Sequence, residues 1–259
     1  MSAASTAPNL FSDAEIEQFR DLGFVVVRGL VSDGRLSELI GWVDELEAFP
    51  EEPGKTMAYY EDSVSEPERR VLSRIEYFDG FHTGLNRLMH GPDMLGRAGD
   101  LFGEPAVLYK EKVNFKMPGG QGFEPHQDMQ AGWLDYGSLQ LTAMVSIDPA
   151  TEANGCLEIA AGHNKRGLIG ELWKPLSEEQ LAGVDFQKVP TEPGDAIFFD
   201  SFAPHRSAAN LSNERRRILY ITYGRASEGD HREAYFAEKR KNFPPDIERD
   251  PNKTYAYKV

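Results

Sequence analysis

The sequence predicts a mainly β protein with flanking α-helices, folded as a double-stranded β-helix, the jelly-roll or cupin-like barrel of two packed sheets. Amphipathic helical patterns occupy the first part of the chain, up to about residue 105. From Ala106 onward the pattern changes to seven or more short apolar segments separated by turns, which is typical of an all-β core. The length of 259 residues is sufficient for one such domain.

The N-terminal elements follow from capping and spacing. Helices are predicted at 12–22, 32–49 and, with an interruption at Gly91-Pro92, 81–102. The first begins with the capping box Ser12-Asp13-Ala14-Glu15, and the second carries an aliphatic stripe at helical spacing. A strand is predicted at 24–28. Residues 50–70 are rich in Pro, Glu, Ser and Tyr, and we expect an irregular excursion over the site there.

The strands of the core are predicted at 106–116, 123–128, 138–147, 156–159, 187–189, 195–200 and 217–224. Residues 165–186 are predicted to form a long excursion with a capped helical piece at Ser177-Glu178-Glu179. We expect a disordered tail at 1–11 and a single domain at 12–259. That domain has a helical flank at about 12–105, a jelly-roll core at about 106–224 and a C-terminal loop segment at 225–259.

Charge and composition exclude several functional classes. The formal net charge is −14, which disfavours a nucleic-acid partner because such proteins need a basic surface. No apolar run of about 18 residues occurs, so no membrane span is expected. Cys156 is the only cysteine, which prevents an intramolecular disulfide and favours a cytoplasmic location. We therefore expect a small-molecule substrate, while the oligomeric state is left open.

The triplet His126-Gln-Asp128 and the later His205 predict a metal site. Residues i and i+2 of a strand point to the same face, so His126 and Asp128 can chelate one ion together. Two imidazoles and one carboxylate on one face of an octahedral ion leave three positions open. This ligand set is typical of non-haem Fe(II) oxygenases.

A decarboxylating oxygenase of this type also needs a cation for the distal carboxylate of 2-oxoglutarate. The run Arg215-Arg216-Arg217 precedes an apolar strand, and only alternate members of it can face inward. Ser207, two residues after His205, can add a hydroxyl donor. The alternative interpretation is a solvated patch of positive charge.

A polar stripe formed by Lys110, Lys112, Asn114 and Lys116 alternates with Val113 and Phe115. If this strand borders the metal, its polar face lines a hydrophilic cavity. The alternative is an edge strand whose lysines lie in water. Asn114 favours the functional interpretation, because Asn is unfavourable in a strand unless it forms hydrogen bonds.

These segments resemble the phytanoyl-CoA dioxygenase family of Fe(II)/2-oxoglutarate oxygenases, which includes ectoine hydroxylase. The resemblance runs from about Phe11 to Tyr257. It is carried by Phe19–Leu30, Pro125–Asp128, Asn154–Glu158, Ala161-Gly162-His163, Pro193-Gly194-Asp195 and His205-Arg206-Ser207 leading to Arg216.

The resemblance implies that His126, Asp128 and His205 are the iron ligands and that Arg216 and Ser207 bind the distal carboxylate of 2-oxoglutarate. It also implies further cosubstrate contacts by Lys110 and Asn114. O₂ would be the second cosubstrate, and succinate and CO₂ would be released. Family-like halogenases replace the carboxylate ligand with a small residue, so Asp128 implies hydroxylation or a related oxidation. The run Glu158–Asn164 departs from the family pattern, which puts substrate contacts from that loop in doubt.

Two alternatives to a small-metabolite hydroxylase are a zinc enzyme on the same barrel and a non-catalytic jelly-roll binding module. A requirement for Arg216 would separate the oxygenase from the zinc enzyme. The substrate candidates are Lys112, Gln127, Gln130 and Trp133. A phosphonate or another small polar anion is one option for the substrate. A CoA thioester is less favoured, because no extended basic patch for its phosphates is visible.

Overall fold

Eleven β-strands in two antiparallel sheets form the framework of the part of the chain that the computed structural model describes, residues 9–255. The strands β1–β11 span Phe24–Val27, Met57–Asp62, Arg70–Glu76, Ala106–Lys116, Phe123–His126, Gln140–Ser146, Leu157–Ile159, Gln187–Val189, Ala196–Asp200, His205–Ser207 and Arg216–Arg225. The helices α1–α5 span Asp13–Leu22, Asp33–Glu47, Thr83–Met89, Pro92–Phe102 and Arg232–Asn242. The larger sheet has the order β1-β9-β6-β11-β4-β3-β2, and the smaller has the order β5-β10-β7-β8.

The large sheet separates two apolar layers. Alternate side chains of its strands, such as Val113 and Phe115, pack with the buried residues of α1–α4. Side chains on its opposite face, such as Met144 and Phe199, pack against strands of the small sheet. The fold is the predicted jelly-roll arrangement of two packed sheets with a helical flank, and the candidate site lies between the sheets.

Several predicted elements are confirmed. Ser12 and Glu15 form the reciprocal capping box that starts α1, and Gly23 ends the helix with a φ of 82°. The strand at 106–116 has the predicted bounds, and it lies between β11 and β3. The interpretation of this strand as a solvated edge is therefore wrong, because both of its sides are paired.

Other expectations are wrong. Residues 50–70 contain β2, which forms a hairpin with β3 instead of an irregular excursion. The segment 225–259 was predicted to be a loop, but it contains α5. Pro244 and Pro245 lie after the end of this helix, so they do not interrupt it. Residues 177–182 form hydrogen-bonded turns rather than a helix. Strand pairing and packing with distant segments decide these elements, and local composition does not reveal them.

The disordered tail predicted at residues 1–11 extends too far toward the C-terminus. Phe11 is buried and makes an edge-to-face contact with Phe198, with ring centroids 5.4 Å apart. The rest of the tail, residues 1–8, lies outside the described residues, as do residues 256–259. Within 9–255, no helix combines the length and the apolar character that crossing a bilayer requires.

Candidate active site

Three side chains that could bind one metal ion meet between the two sheets. Strands β5 and β10 are antiparallel neighbours, and His126 lies directly opposite His205. Asp128 begins a short 3₁₀ turn after β5, so it leaves the strand rather than continuing it as the sequence predicted. The Nε2 atoms of His126 and His205 each lie 3.9 Å from Oδ1 of Asp128. The candidate ligand atoms all lie within 4.8 Å of one another, which suits a shared ion.

Backbone carbonyls orient both imidazoles toward that ion. Nδ1 of His126 lies 2.7 Å from the carbonyl oxygen of Glu124, and Nδ1 of His205 lies 3.0 Å from that of Ala203. Since a carbonyl only accepts, each Nδ1 presents its proton to it, and each Nε2 is the ring atom directed toward the candidate metal position. Burial and the nearby His205 lower the pKa of His126 to about 3, so this imidazole is neutral at physiological pH. The donor set therefore fits a divalent iron ion.

A second feature is a pair of buried basic side chains next to this triad. Arg216 on β11 lies opposite Lys116 on β4, and each side chain is at most 3% exposed. Nη1 of Arg216 donates to the carbonyl oxygen of Gly155. Its Nε and Nη2 atoms have no partner of good hydrogen-bond geometry among residues 9–255, its side-chain neighbour is the hydroxyl of Tyr220, and none of the ion pairs among those residues includes it. A buried guanidinium without a counter-ion is costly, so this place fits an anionic ligand.

Lys116 strengthens this anionic site. Its Nζ donates to Oγ of Ser207 at 2.8 Å and to the carbonyl oxygen of Ala208 at 2.6 Å. Burial, followed by the charge of Arg216, lowers the pKa of Lys116 to about 6. Asn114 and Ser207 both line the cavity that holds the triad. The residues present fit the distal carboxylate of 2-oxoglutarate, and Lys116 is a further candidate that sequence reasoning did not select.

Lys110 and Lys112 lie farther along β4, away from Arg216. Lys110 is paired in register with Thr222, and its Nζ donates to the hydroxyl of Tyr235 at 2.8 Å. The Nζ of Lys112 lies 4.8 Å from the ring centroid of Tyr220. Burial and the charge of Lys110 lower the pKa of Lys112 to about 8. Both lysines line the cavity at the metal triad, and the predicted cosubstrate role of Lys110 stays a prediction.

The cavity continues past the triad into an adjoining chamber that the sequence did not reveal. Arg74 and Glu76 of β3 and Lys239 of α5 contribute to its wall. The alternation of Arg74 and Glu76 along β3 is a weak sequence signal for such a wall, since i and i+2 share a face. Nothing in the sequence indicated Lys239, because its segment was predicted to be a loop.

The three remaining substrate candidates separate into two groups. Trp133 lines both chambers, and its Nε1 has no hydrogen-bond partner among the described residues. Gln127 donates to the carbonyl oxygens of Gly167 and Phe202 at 2.7 and 2.6 Å. Gln130 likewise donates to backbone carbonyls, at Glu171 and Lys174. Both glutamines therefore bind backbone carbonyls of the loop after β7, and Gln127 also binds that of Phe202 after β9, so neither side chain lines the cavity as a substrate contact would.

Comparisons with known proteins agree with this geometry. The family model "Phytanoyl-CoA dioxygenase (PhyH)" matches residues 19–218. A 2-aminoethylphosphonate dioxygenase from an uncultured bacterium is 40% identical to this chain, and the match covers 95% of this chain and 94% of that relative. A methylphosphonate hydroxylase from Gimesia maris is 37% identical to this chain, and the match covers 90% of this chain and 88% of that relative.

Solved structures support the same fold. The structure of EctD from S. alaskensis with 2-oxoglutarate and 5-hydroxyectoine superposes with a TM-score of 0.72 at 18% identity. The superposition covers 98% of this chain and 88% of the EctD chain. The fold, the candidate ligand triad and the curated relatives lead to one conclusion. The chain belongs to the phytanoyl-CoA dioxygenase family, and it is an iron- and 2-oxoglutarate-dependent dioxygenase.

Proposed function

We propose that this enzyme hydroxylates a small organophosphonate and converts 2-oxoglutarate to succinate and CO₂ as it does so. The observation that carries the substrate class is the basic wall beside the metal triad. Arg74, Lys110, Lys112 and Lys239 line the cavity there, whereas Glu76 is the one carboxylate among the described lining residues besides Asp128. Such a wall suits a compact anion with more than one negative charge.

The relatives support the same substrate class. Two of them, at 40% and 37% identity over at least 90% of this chain, are named for phosphonate substrates. The enclosed position of the basic wall between the sheets also disfavours a long CoA thioester.

A cytoplasmic location is part of the proposal, and the single cysteine, Cys156, favours it because it can form no intramolecular disulfide.

In the proposed mechanism, Nε2 of His126, Nε2 of His205 and the carboxylate of Asp128 hold the iron. Arg216 and Lys116 bind the distal carboxylate of 2-oxoglutarate, and Ser207 and Asn114 complete that polar surface. Bound iron and 2-oxoglutarate supply the oxidising chemistry that replaces an aliphatic C–H bond with C–OH. The protein fixes the reacting groups relative to one another, which is the main contribution of a protein to cofactor chemistry.

The substrate side is formed by different residues. Lys110 and Lys112 bind the anionic head and hold the adjacent carbon near the metal. The indole N–H of Trp133 is a free donor in the same wall, and it can bind an oxygen of the phosphonate. In this arrangement Lys110 serves the substrate instead of the cosubstrate, since Lys116 rather than Lys110 lies beside Arg216. The apolar rings around Trp133, including Tyr109 at 5.4 Å, exclude water from the reacting carbon.

The two alternatives explain less of the structure. A zinc enzyme that activates water would leave Arg216 and Lys116 buried beside each other with no role. A non-catalytic binding module would not need the carbonyls of Glu124 and Ala203 to direct both Nε2 lone pairs to one point.

The test is succinate formation across matched substrates with Fe(II), 2-oxoglutarate and O₂ present. We expect methyl-, ethyl- or propylphosphonate to stimulate succinate release, and the carboxylates of the same chain length to give no stimulation. Phosphorus NMR should show one new hydroxylated product. Stimulation by a carboxylate, a cyclic amine or a CoA thioester, with none by any phosphonate, would contradict the proposed substrate class.

A further inference from the structure

Two buried threonines lie beside the candidate metal triad, on the face of the large sheet that borders its cavity. Thr142 of β6 is paired in register with Thr222 of β11, and these residues are only 1% and 2% exposed. Both residues line the cavity that holds the triad, and their hydroxyl oxygens lie 3.0 Å apart. Because β6 and β11 each pair with a strand on both sides, the sheet presents the two hydroxyls from a rigid position.

The hydroxyl of Thr142 faces one particular oxygen of Asp128. Oγ1 of Thr142 lies 3.5 Å from Oδ2, whereas Nε2 of His126 and of His205 each lie 3.9 Å from Oδ1. The contact is longer than the usual ~2.5–3.0 Å for a hydroxyl donor. Within residues 9–255, however, Thr142 is the one hydrogen-bond donor to this carboxylate. The two oxygens therefore differ, with Oδ1 on the side of the imidazoles and Oδ2 on the side of Thr142.

The proton order of this chain of hydroxyls follows from its last member. A carboxylate oxygen only accepts, so Thr142 must donate its single hydroxyl proton to Asp128. Oγ1 of Thr142 is then the acceptor toward Thr222, and Thr222 must be the donor between the two threonines. The chain therefore runs from Thr222 through Thr142 to Oδ2 of Asp128, and Thr222 orients the hydroxyl of Thr142.

An aspartate can bind a metal ion through one oxygen or through both, and the choice changes the number of open positions. The candidate triad fills three positions of an octahedral ion when Asp128 binds through Oδ1 alone. Because 2-oxoglutarate chelates through two atoms, one position then remains for O₂. That position would be lost if Oδ2 also bound the metal.

We infer that Thr142 restricts Asp128 to binding the metal through Oδ1 and thereby keeps a position open for O₂. Thr222 serves the same end by orienting Thr142. Both threonines are positioning residues, because they act through Asp128. The inference rests on the proposed ligation of iron by His126, Asp128 and His205, and it does not depend on the phosphonate substrate class.

Nitric oxide tests this inference, because it binds Fe(II) at the O₂ position and gives a distinctive electron paramagnetic resonance signal. Each protein is loaded with Fe(II) and 2-oxoglutarate without O₂ and is titrated with nitric oxide. Thr142→Val removes the hydroxyl at nearly constant volume. We expect it to weaken nitric oxide binding at least about tenfold, as losses of groups that orient metal ligands do. Thr142→Ser retains the hydroxyl and should keep the affinity of the unaltered protein.

Two further variants control for the loss of a buried hydroxyl. Thr191 is 3% exposed, and its hydroxyl lies 2.6 Å from that of Ser146, but neither residue is among the described residues that line the cavity. Thr191→Val is therefore the matched control and should leave nitric oxide binding unchanged. Thr222→Val removes the donor behind Thr142 and should weaken binding by less than Thr142→Val. It also remains informative if Thr142→Val fails to fold.

The affinities for Fe(II) and 2-oxoglutarate, measured in the same samples, should stay close to those of the unaltered protein, because all three ligands remain. Unchanged nitric oxide binding in folded Thr142→Val or in Thr222→Val, or an equal loss in Thr142→Ser, would overturn the inference and leave the proposed ligation intact. A loss of Fe(II) affinity in Thr142→Val as large as in Asp128→Ala would also overturn it, since Thr142 would then only hold Asp128 in place. Failure of the unaltered protein to bind Fe(II) would instead overturn the proposed ligation.

Discussion

His126 and His205 lie opposite each other on neighbouring antiparallel strands, with ring centroids 4.3 Å apart. Because each Nδ1 is held by a backbone carbonyl, both Nε2 atoms are directed to the same oxygen of Asp128. The backbone carbonyls therefore orient both imidazoles toward one point. With three candidate ligand atoms within 4.8 Å of one another, the site should depend on each of the three residues.

The first prediction concerns metal binding. Replacing His126, Asp128 or His205 with Ala should lower the Fe(II) affinity by at least about tenfold, since losing a group that merely orients a ligand already costs about 10–100-fold. Metal titration of each purified variant measures the loss. His163→Ala is the control, because His163 is not part of the cluster. A triad variant with normal metal content would remove that residue from the site.

The second prediction separates two neighbouring arginines. Arg216→Ala should raise the 2-oxoglutarate concentration needed for half-maximal turnover about 10- to 100-fold, because a charge-assisted hydrogen bond contributes about 1.5–3 kcal/mol. Arg215→Ala should change it little, since Arg215 is partly exposed and pairs with Asp44 and Glu47 on α2. Titrations of 2-oxoglutarate with both variants decide between them. The reverse pattern would mean that the inward face of β11 is assigned to the wrong residues.

The third prediction is a pH dependence of stability from Lys116. Its pKa is about 6 in the fold, whereas the ordinary value for a lysine is 10.5, so the unfolded chain binds more protons between these values. Lys116 therefore opposes folding at neutral pH, and this penalty is relieved as the pH rises from about 6 toward 10.5. We expect the protein without ligand to gain stability relative to Lys116→Met over that range.

Urea unfolding of both proteins at several pH values measures this difference. It should change by at least about 1 kcal/mol, since one unit of pKa corresponds to about 1.4 kcal/mol. Saturating 2-oxoglutarate should reduce the change, because its carboxylate stabilises the charged lysine. A difference that stays constant with pH, with and without ligand, would contradict a buried lysine with a lowered pKa at this position.

The fourth prediction concerns the loop after β7. Gln127 accepts a hydrogen bond from the amide of Ile169 and donates to Gly167 and Phe202. Gln127→Ala should lower the free energy of unfolding by about 2–4 kcal/mol, because three partly buried hydrogen bonds of roughly 1 kcal/mol each are lost. It should also speed hydrogen exchange at the amide of Ile169. Gln121→Ala, at an exposed position, should do neither, and slow exchange at Ile169 in Gln127→Ala would contradict the fastening role.

The sequence predicted β4 well because a strand has a short-range regularity, whereas the candidate metal triad was indicated by its ligand chemistry, since Asp128 lies in a turn after β5. Residues two apart share a strand face, so the polar stripe from Lys110 to Lys116 identified a wall of the cavity. The family resemblance, and not the alternation alone, selected Arg216, which is buried in the fold. The wall formed by β4 needs only the period of a strand, and the triad needs only the chemistry of its ligands.

The sequence could not show which distant segments complete the site. Lys239 and Glu76 are 163 positions apart, and their contact depends on α5 packing against β3 and β4. Gln127 looked like a cavity residue because it lies between two ligands, yet its side chain is directed to the loop at Gly167. Such contacts depend on the packing of the complete fold, which a single sequence does not encode in a local pattern.

The most direct test of the central claim is the coupling of succinate formation to oxygen incorporation. The unaltered enzyme is supplied with Fe(II), 2-oxoglutarate, a phosphonate that stimulates turnover, ¹⁸O₂ and excess chloride. We expect one succinate for each hydroxylated phosphonate, and a product with one ¹⁸O atom and no chlorine, because Asp128 holds the position that a halide would need. A chlorinated product, or succinate release with every phosphonate left unoxidised, would contradict the account.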